Sequence, residues 1–499
     1  MAISAPVGLK AALLEAVRTK SGMVGVAMLG FLLLLAVLVP ILAPYNVVQE
    51  WSNAANWADN PRLAAPEWSE FLVGKHLPRT IFVGWSDTPG GFDKVRVPIN
   101  QSGQEYTFIV LKKTFSFEYD AFPSEFTLYL RMTFGNVSPL VTVKWERPDG
   151  ESITLFDEVP THNVSQAFRP ITYTRSISNP VQGEPSFQVY GHLVDWIVAK
   201  GAATSQEMSN LTQTKSIYAI RPEILLFAKL NHSMIQADTA EVLKGEYNLT
   251  IDVVGFSAAD EADARAIVFG KVFGIAGTDD QRHDLLVGLM WGAPVALAFG
   301  VAGALASVLI QTILGAISGW YGGAVDEVVQ RASDFYLIIP TLPILILVAL
   351  LYRPSIVYIL IILVILGLVG ATTKVVRSIV LQVKEEQFIE AARSYGASRA
   401  RILFRYILPR VMPYTFALVA LTVPAFIFLE ASLSFLGLGD PVLPTWGSTL
   451  GRAYSQGALF YGDWWWVVFP VGGIVFTTIA FALLGYAFDK VLNPRLREQ

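Results

Sequence analysis

FLEASLSFLGLG, residues 428–439, places one carboxylate, Glu430, in a run with no other charge. A carboxylate in an apolar segment is costly. It is retained as a proton carrier, as a contact for cargo, or as the partner of another polar group in a helix bundle. Elsewhere the reactive side chains are thinly spread. There is no cysteine, which removes thiol nucleophiles, thiolate metal sites and disulfides. The five histidines show no H-E-x-x-H or other ligand spacing, so no metal site is read. No G-x-x-x-x-G-K-[ST] loop is present, and no G-x-G-x-x-G follows a strand, so no nucleotide or other cofactor site is read on this chain. No catalytic residue is assigned, and substrate-binding residues cannot be read from one sequence.

The second chemical feature is a basic block. EAARSYGASRARILFRYILPRVMP, residues 390–413, carries five arginines between long uncharged runs. Phe388, Ala391, Ala392 and Tyr395 fall at i, i+3, i+4 and i+7, one helical face. Gly396 can take the left-handed backbone that ends a helix. Ser398 can cap a second helix. Its face is Ala400, Leu403, Phe404 and Ile407. Pro409 ends or kinks it, and Pro413 opens the next apolar run. Three roles fit this helix–break–helix: an amphipathic segment on lipid headgroups, a site for an acidic partner or anionic lipid, and a docking helix for the groove of another protein.

The elements carrying these residues are membrane spans. The chain of 499 residues is 53% hydrophobic and 16% charged, against about 25% charged in soluble domains. Apolar runs of the length a bilayer requires lie at Met23–Ala43 and near 286–318, 333–352, 355–373, 413–437 and 464–488, predicting six spans. The first is too long for a signal-peptide core, so it reads as retained. Lys10, Arg18 and Lys20 precede it. Lys374, Arg377, Lys384 and the arginines of the basic block lie between spans four and five, and Lys490, Arg495 and Arg497 follow span six. All fall on one side, which the positive-inside rule makes the cytoplasm. The predicted organisation is a cytoplasmic N-terminus 1–22, a first span 23–43, an external insert 44–283, a core 284–490 containing the cytoplasmic loop 381–412, and a cytoplasmic C-terminus 491–499.

The insert reads as a mainly β domain, a sandwich, from aromatic and β-branched segments and the hairpin signal Pro148-Asp149-Gly150. Asp195–Ala202 and Arg221–Leu230 read as helical. Six N-x-[ST] sequons, at Asn100, Asn136, Asn163, Asn210, Asn231 and Asn248, all fall in it. Their density points to surface N-glycosylation and, with a bacterial-type architecture, to an archaeal source. Trp446 and Trp464–Trp466 read as an interfacial aromatic belt. Asp279 and Asp284 read as caps of the second span. Asp326 and Glu327 read as partners of helix ends or arginines.

Glu390-Ala391-Ala392, then Gly396, then Leu408-Pro409 resembles the EAA loop of binding-protein-dependent ABC importer permeases. GWYGGAVDEVVQRASDFYLIIPTLP (319–343), FLEASLSFLGLG with Pro444-x-Trp446-Gly447, and LLGYAFDKVLNPRLRE resemble the dipeptide/oligopeptide/nickel branch, over residues 8–45 and about 275–499. The resemblance implies a six-helix type I permease fold that is not itself an enzyme, and a coupling helix that docks on an ATPase. Glu390, Ala391, Ala392, Tyr395, Gly396, Leu408 and Pro409 would be the coupling residues. It implies a second homologous permease, two ATP-binding subunits carrying ATP and Mg, an external solute-binding protein, surrounding membrane lipid and no nucleic acid. Peptides, oligosaccharides or nickel would be the cargo, in a prokaryotic cell membrane. The chain departs from the family at GTDDQRHDLL, where Arg282 and His283 stand for an expected glycine and arginine, and in its insert of over two hundred residues. That insert is read as a docking or guiding element. A receptor with a ligand-binding β ectodomain, and a secondary transporter using Glu430 for proton coupling, are the alternatives.

Overall fold

The computed structural model describes residues 15, 17–101, 104–160, 169–178, 186–215, 221–236, 238–352, 355–440 and 443–492. Asn163, Lys10, Arg495 and Arg497 lie outside the described residues. The chain divides into two compact units, residues 1–56 with 285–499, and residues 57–284. The thirteen residues 44–56, including helix α2 (Tyr45–Gln49), therefore group with the apolar helices and not with the expected insert.

Helix α1 (Lys20–Leu42) starts on Thr19, whose hydroxyl accepts from Gly22 N at 3.0 Å. It stops at Ala43, just before Pro44, which has no N–H to continue the ladder. At Gly25 an added Cβ would sit 3.1 Å from the Ala480 carbonyl, so small residues set the approach to the last helix.

The second unit is a β sandwich. One sheet has the order β1-β9-β4-β7 (Ile81–Val83, Glu261–Phe269, Glu125–Thr133, Ile171–Ser176). The other has the order β2-β3-β8-β5-β6 (Asp93–Gln101, Gln104–Phe117, Gly245–Gly255, Leu140–Glu146, Ser152–Glu158). All these pairings are antiparallel. Alternation drives it: in β8 Tyr247, Leu249, Ile251 and Val253 face inward, with half-buried residues between them, the period-2 pattern of a sheet with one face on the core. The predicted hairpin forms between β5 and β6, with Gly150 at φ +84°. Helices α3 (Glu70–Val73), α4 (Ser186–Ala199), α5 (Ser205–Lys215) and α6 (Pro222–Phe227) complete the unit.

Its core is aromatic. Phe227 lies 4.6 Å from Phe117, 4.8 Å from Tyr247 and 5.3 Å from Trp145, centroid to centroid, the spacing of favourable edge and offset contacts. Arg147 is buried beside them. It donates to the carbonyls of Leu225, Leu226 and Ala228 at 2.9, 3.2 and 2.6 Å and pairs with Asp149 at 2.8 Å. The guanidinium thus satisfies carbonyls at the end of α6 that have no helical donor.

Glu223, in the first turn of α6, is almost fully buried and pairs with Arg221. Burial pushes its carboxyl above the usual range, against the pull of Arg221. An acid with a raised folded pKa holds its proton longer in the folded state, so its penalty is absent below the unfolded pKa and grows as pH rises. Glu223→Gln is therefore expected to raise the melting midpoint of this unit in the solubilised full chain at neutral pH by about 2–4 °C. The gain should shrink as pH falls toward 4. A pH-independent gain, or a loss, contradicts the assignment.

In the first unit, α7 (Leu285–Tyr321), α13 (Arg399–Phe435), α16 (Trp465–Leu492) and α1 are long and apolar enough to cross a membrane. Two further pairs reach that length only together. The pair α8 (Gly323–Ile338) and α9 (Thr341–Tyr352) is bent by 74°. The pair α10 (Ile356–Leu366) and α11 (Ala371–Lys384) is bent by 44°. Among the described residues four helices qualify singly, and the count reaches the expected six only if each bent pair is one span. Pro340 explains the first bend, since it lacks a donor and keeps Ile339 extended. The second bend falls at Gly367–Gly370. There Gln311 Nε2 donates to the Gly367 carbonyl at 2.8 Å, replacing a bond the broken helix cannot make.

The tryptophans correct the expectation of a belt. Trp446, Trp465 and Trp466 are buried. Trp446, at the start of α14 (Trp446–Ser455), fills a slot that exists because two neighbours lack a Cβ. A Cβ at Gly292 would lie 2.3 Å from its ring, and one at Gly473 2.7 Å away. Its Nε1 donates to Leu289 O at 2.9 Å. A short helix, α15 (Ala458–Tyr461), leads into α16.

Candidate functional site

The basic block folds as a short helix, a turn and a long helix. Helix α12 (Gln387–Ser394) ends at Tyr395, and Gly396 follows at φ +76°. Gly396 N donates to Arg393 O at 2.9 Å and Ala397 N to Ala392 O at 3.0 Å. These are the two bonds of a Schellman motif, which needs the left-handed residue that glycine supplies without strain. Ser398 then caps α13, its hydroxyl accepting from Arg401 N at 3.3 Å. Glu390 sits in the first turn of α12 and Arg393 in its last, each favourable to the helix dipole.

The predicted faces are only half right. Ile389 and Ala392 are buried and Phe388 is half-buried, while Glu390, Ala391, Arg393, Ser394 and Tyr395 are exposed, Tyr395 at 91%. Ala392 therefore packs inward, and Ala391 with Tyr395 points out. In the next helix Ile402, Leu403 and Ile407 are buried, whereas Ala400 and Phe404 are exposed. The reason is a π-turn over Leu403–Ile407, in which Leu408 N bonds to Leu403 O, five residues back. Pro409 supplies no N–H to the Arg405 carbonyl, and the wider turn accommodates that gap. Pro409 thus neither ends the helix nor leaves a break at Pro413. One helix runs from Arg399 to Phe435.

A residue that sequence reasoning missed holds this block. Trp320, near the end of α7, is 5% exposed. Its Nε1 donates to Arg399 O at 3.1 Å. The Arg393 guanidinium lies 5.0 Å above its ring and Lys384 Nζ 5.9 Å, both within cation–π range. Ile389, Ala392, Ile402, Leu403 and Ile407 join it in one cluster with Val376, Val380 and Val383 of α11. Arg410 closes the block by pairing with Glu386 at 3.3 Å. The one sequence signal was the isolated GWYGG aromatic pair before a turn.

Other predicted residues are dispersed. Asp326 accepts a bidentate contact from Arg377, both bonds at 2.5 Å, and Asp334 pairs with Lys374. Glu327 pairs with Arg331 at 3.1 Å. Glu430 is buried, accepts from Ser434 Oγ at 2.7 Å and has Thr445 as a second hydroxyl partner. Both partners are hydroxyls of this chain, four and fifteen residues on. In the β unit, Asp279 does not cap a helix. Its Oδ1 accepts from Gln281 N and His283 N at 2.8 and 2.9 Å and its Oδ2 contacts His283 Nδ1 at 2.7 Å. Arg282 has φ +70°, so the residue standing where a glycine is expected keeps a glycine-like backbone. Among the described residues no group of three metal-ligating side chains is assembled.

Trp320→Ala is expected to loosen the block. Removing a buried indole costs about 3–5 kcal/mol, so backbone amides of 387–402 should exchange with deuterium markedly faster in the full chain. Trp320→Phe loses chiefly one hydrogen bond, about 1 kcal/mol, and should stay close to the parent. Equal, unchanged exchange in both variants contradicts the role of the ring.

Residues 311–498 match the family described as binding-protein-dependent transport system inner membrane component. Residues 10–66 match the N-terminal TM domain of oligopeptide transport permease C. The chain is 36% identical over 223 residues to the oligopeptide transport system permease protein OppC of Bacillus subtilis (44% of this chain, 72% of the relative). It is 35% identical over 222 residues to the dipeptide transport system permease protein DppC of the same organism (44% and 68%). To the glutathione transport system permease protein GsiD of Pectobacterium atrosepticum it is 32% identical over 222 residues (44% and 72%). With 72% of a 36%-identical relative covered, the chain belongs to the binding-protein-dependent transport system inner membrane components.

Proposed function

We propose that this chain is the permease subunit of an ABC importer that carries peptides, and that α12 is the point where ATP-driven movement enters it. The observation supporting this is the exposed strip of α12, Glu390, Ala391, Ser394 and Tyr395, on a helix whose other side is anchored to α7 through Trp320. A small residue beside a fully exposed aromatic suits a groove in a partner. The chain is not itself an enzyme. Two partner subunits bind and hydrolyse ATP with Mg. Their closure displaces α12, and the hydrogen bond from Trp320 to Arg399 and the continuous helix from Arg399 pass that displacement to the bundle. The pathway, completed by a second homologous permease, then alternates between faces. A solute-binding protein delivers cargo on the side opposite α12, with both termini and the basic block cytoplasmic. Peptides are favoured because similar proteins are named for oligopeptide, dipeptide and glutathione transport.

Ala391→Asp and Tyr395→Ala should each release co-purifying ATP-binding subunits by tenfold or more, about 1.4 kcal/mol. ATP-dependent peptide uptake should fall with them while the melting midpoint of the permease stays put. Full retention of those subunits with undiminished uptake in both variants refutes the docking role.

We also propose that the β unit lies outside the cytoplasm and is glycosylated. Asn100, Asn136, Asn210 and Asn231 are exposed. Asn248 is not equivalent. It lies in the central strand β8, where its Nδ2 donates to Glu146 at 3.1 Å and its Oδ1 accepts from the Thr114 hydroxyl. Glycopeptide mass spectrometry of the protein from its native membrane should find sugar on the first four and a bare Asn248. Four bare sites, or a fully occupied Asn248, overturns this.

A further inference from the structure

The β unit carries an apolar tip that its own core does not use. Phe71, Leu72 and Val73 on α3 are 91%, 66% and 56% exposed, and Ile275 beside them is 65% exposed. The tip is a built feature. Trp68 Nε1 donates to Ile275 O at 2.8 Å and Glu67 N donates to Gly274 O at 2.9 Å, so the two chain segments are locked together. Gly74, at φ +66°, closes α3 through a bond to Glu70 O. The neighbouring acids are drawn away from it. Glu67 accepts from Gly274 N at 3.3 Å and pairs with Arg79 at 3.4 Å, and Glu70 is half-buried. No charged or hydrogen-bonding side chain is left among the three residues of the point.

Two observations name the occupant. The composition is that of an interfacial anchor, a tryptophan at the base and uncharged apolar residues at the point. The second is covalent. Ile275 is ten residues before Leu285, where the longest apolar helix begins. A fully extended chain covers about 3.5 Å per residue, so these ten reach at most about 35 Å. The pairing of Thr278 with Asp284 folds part of that length back. The connection itself thus limits how far the tip can stand from the start of that helix.

We propose that this tip inserts into the headgroup–acyl boundary of the membrane the chain spans, so that the β unit is held to lipid as well as by its two connections. The chain has no cysteine, so single labelling sites need no background substitutions. Phe71→Cys and Leu72→Cys, each carrying a nitroxide, are measured on the full chain in phosphatidylcholine nanodiscs, with the exposed Val159→Cys, one residue after the edge strand β6, as reference. Both tip labels should be accessible to oxygen, shielded from an aqueous nickel chelate, and about 5–10 Å below the phosphates, with the reference label in water. Tip labels fully exposed to the chelate overturn the proposal. Tip labels shielded only once the second permease subunit is added also overturn it, by assigning the tip to a protein interface.

Discussion

Helices in lipid gain little from burying apolar surface against one another, because the tails around them are as apolar as leucine. Their association depends on how closely the backbones approach. In this protein several of those approaches are set along one helix, α7. A Cβ at Gly300 would lie 2.7 Å from Ile427, and one at Gly303 2.1 Å from the Phe426 ring. At Gly315 it would lie 2.5 Å from the Thr373 carbonyl, and at Gly319 3.0 Å from that of Arg377. The last two are the strictest, since a backbone carbonyl cannot rotate aside as a side chain can. Alpha-7 thus fixes α11 through its lower glycines and α13 through its upper ones, and Gly292 admits Trp446 and with it the start of α14.

Trp320, one residue before the end of the same helix, ties the basic block to the bundle. A short helix on a flexible loop would absorb a push from a partner by bending. Here α12 shares a packed cluster with α7, α11 and the first turns of α13. A packed interior transmits displacement because it is dense and has few alternative arrangements. The π-turn at Leu403–Ile407 is where a wider ring interrupts the regular ladder, and such turns mark places where a helix departs from rigidity. The block is stiff where it meets α7 and irregular just where it enters the membrane helix.

Local features of this site were legible in the sequence, and tertiary ones were not. Gly396 and Ser398 could be read because a left-handed turn and a cap are decided within a few residues. The faces of α12 could not. Alanine at 391 and at 392 is equally compatible with solvent, a partner or the bundle, and only the position of Trp320 separates them. In the next helix the expected Leu403 and Ile407 are buried, but the π-turn brings Ile402 in line with Ile407, five residues on, where a strict 3.6-residue period places Ala400 and Phe404. Trp446 was misread for a related reason. Tryptophan near a span end suggests a belt, and its burial became visible only through Gly292 and Gly473, over 150 residues before it and 27 after. The sandwich was legible as alternation, but its two-sheet strand order was not, since β9 pairs with β1 and β4 across most of the domain.

The insert raises a different physical question: how a permease core tolerates more than two hundred added residues. The stem answers it. Ala65 and Val272 are bridged in parallel, Ala64 N donates to Thr278 Oγ1 at 2.9 Å, and Thr278 Oγ1 donates to Pro61 O at 2.7 Å. The chain therefore leaves and re-enters at neighbouring positions, and what lies between adds loop-closure entropy that grows only slowly with length. The match to the N-terminal TM domain ends at residue 66, one position past Ala65 and ten past the end of the first unit at residue 56. Arg282 fits the same account. Its left-handed backbone is costly for any residue but glycine, and it is held by bonds that glycine could not make, to Asn60 O at 2.6 Å and to Glu125 at the start of β4, with its guanidinium 4.3 Å over the Phe269 ring. Glu125 and Phe269 belong to the insert. Arg282 thus ties the stem to the sandwich, and the strain of its backbone is offset by the contacts its side chain makes to Asn60, Glu125 and Phe269.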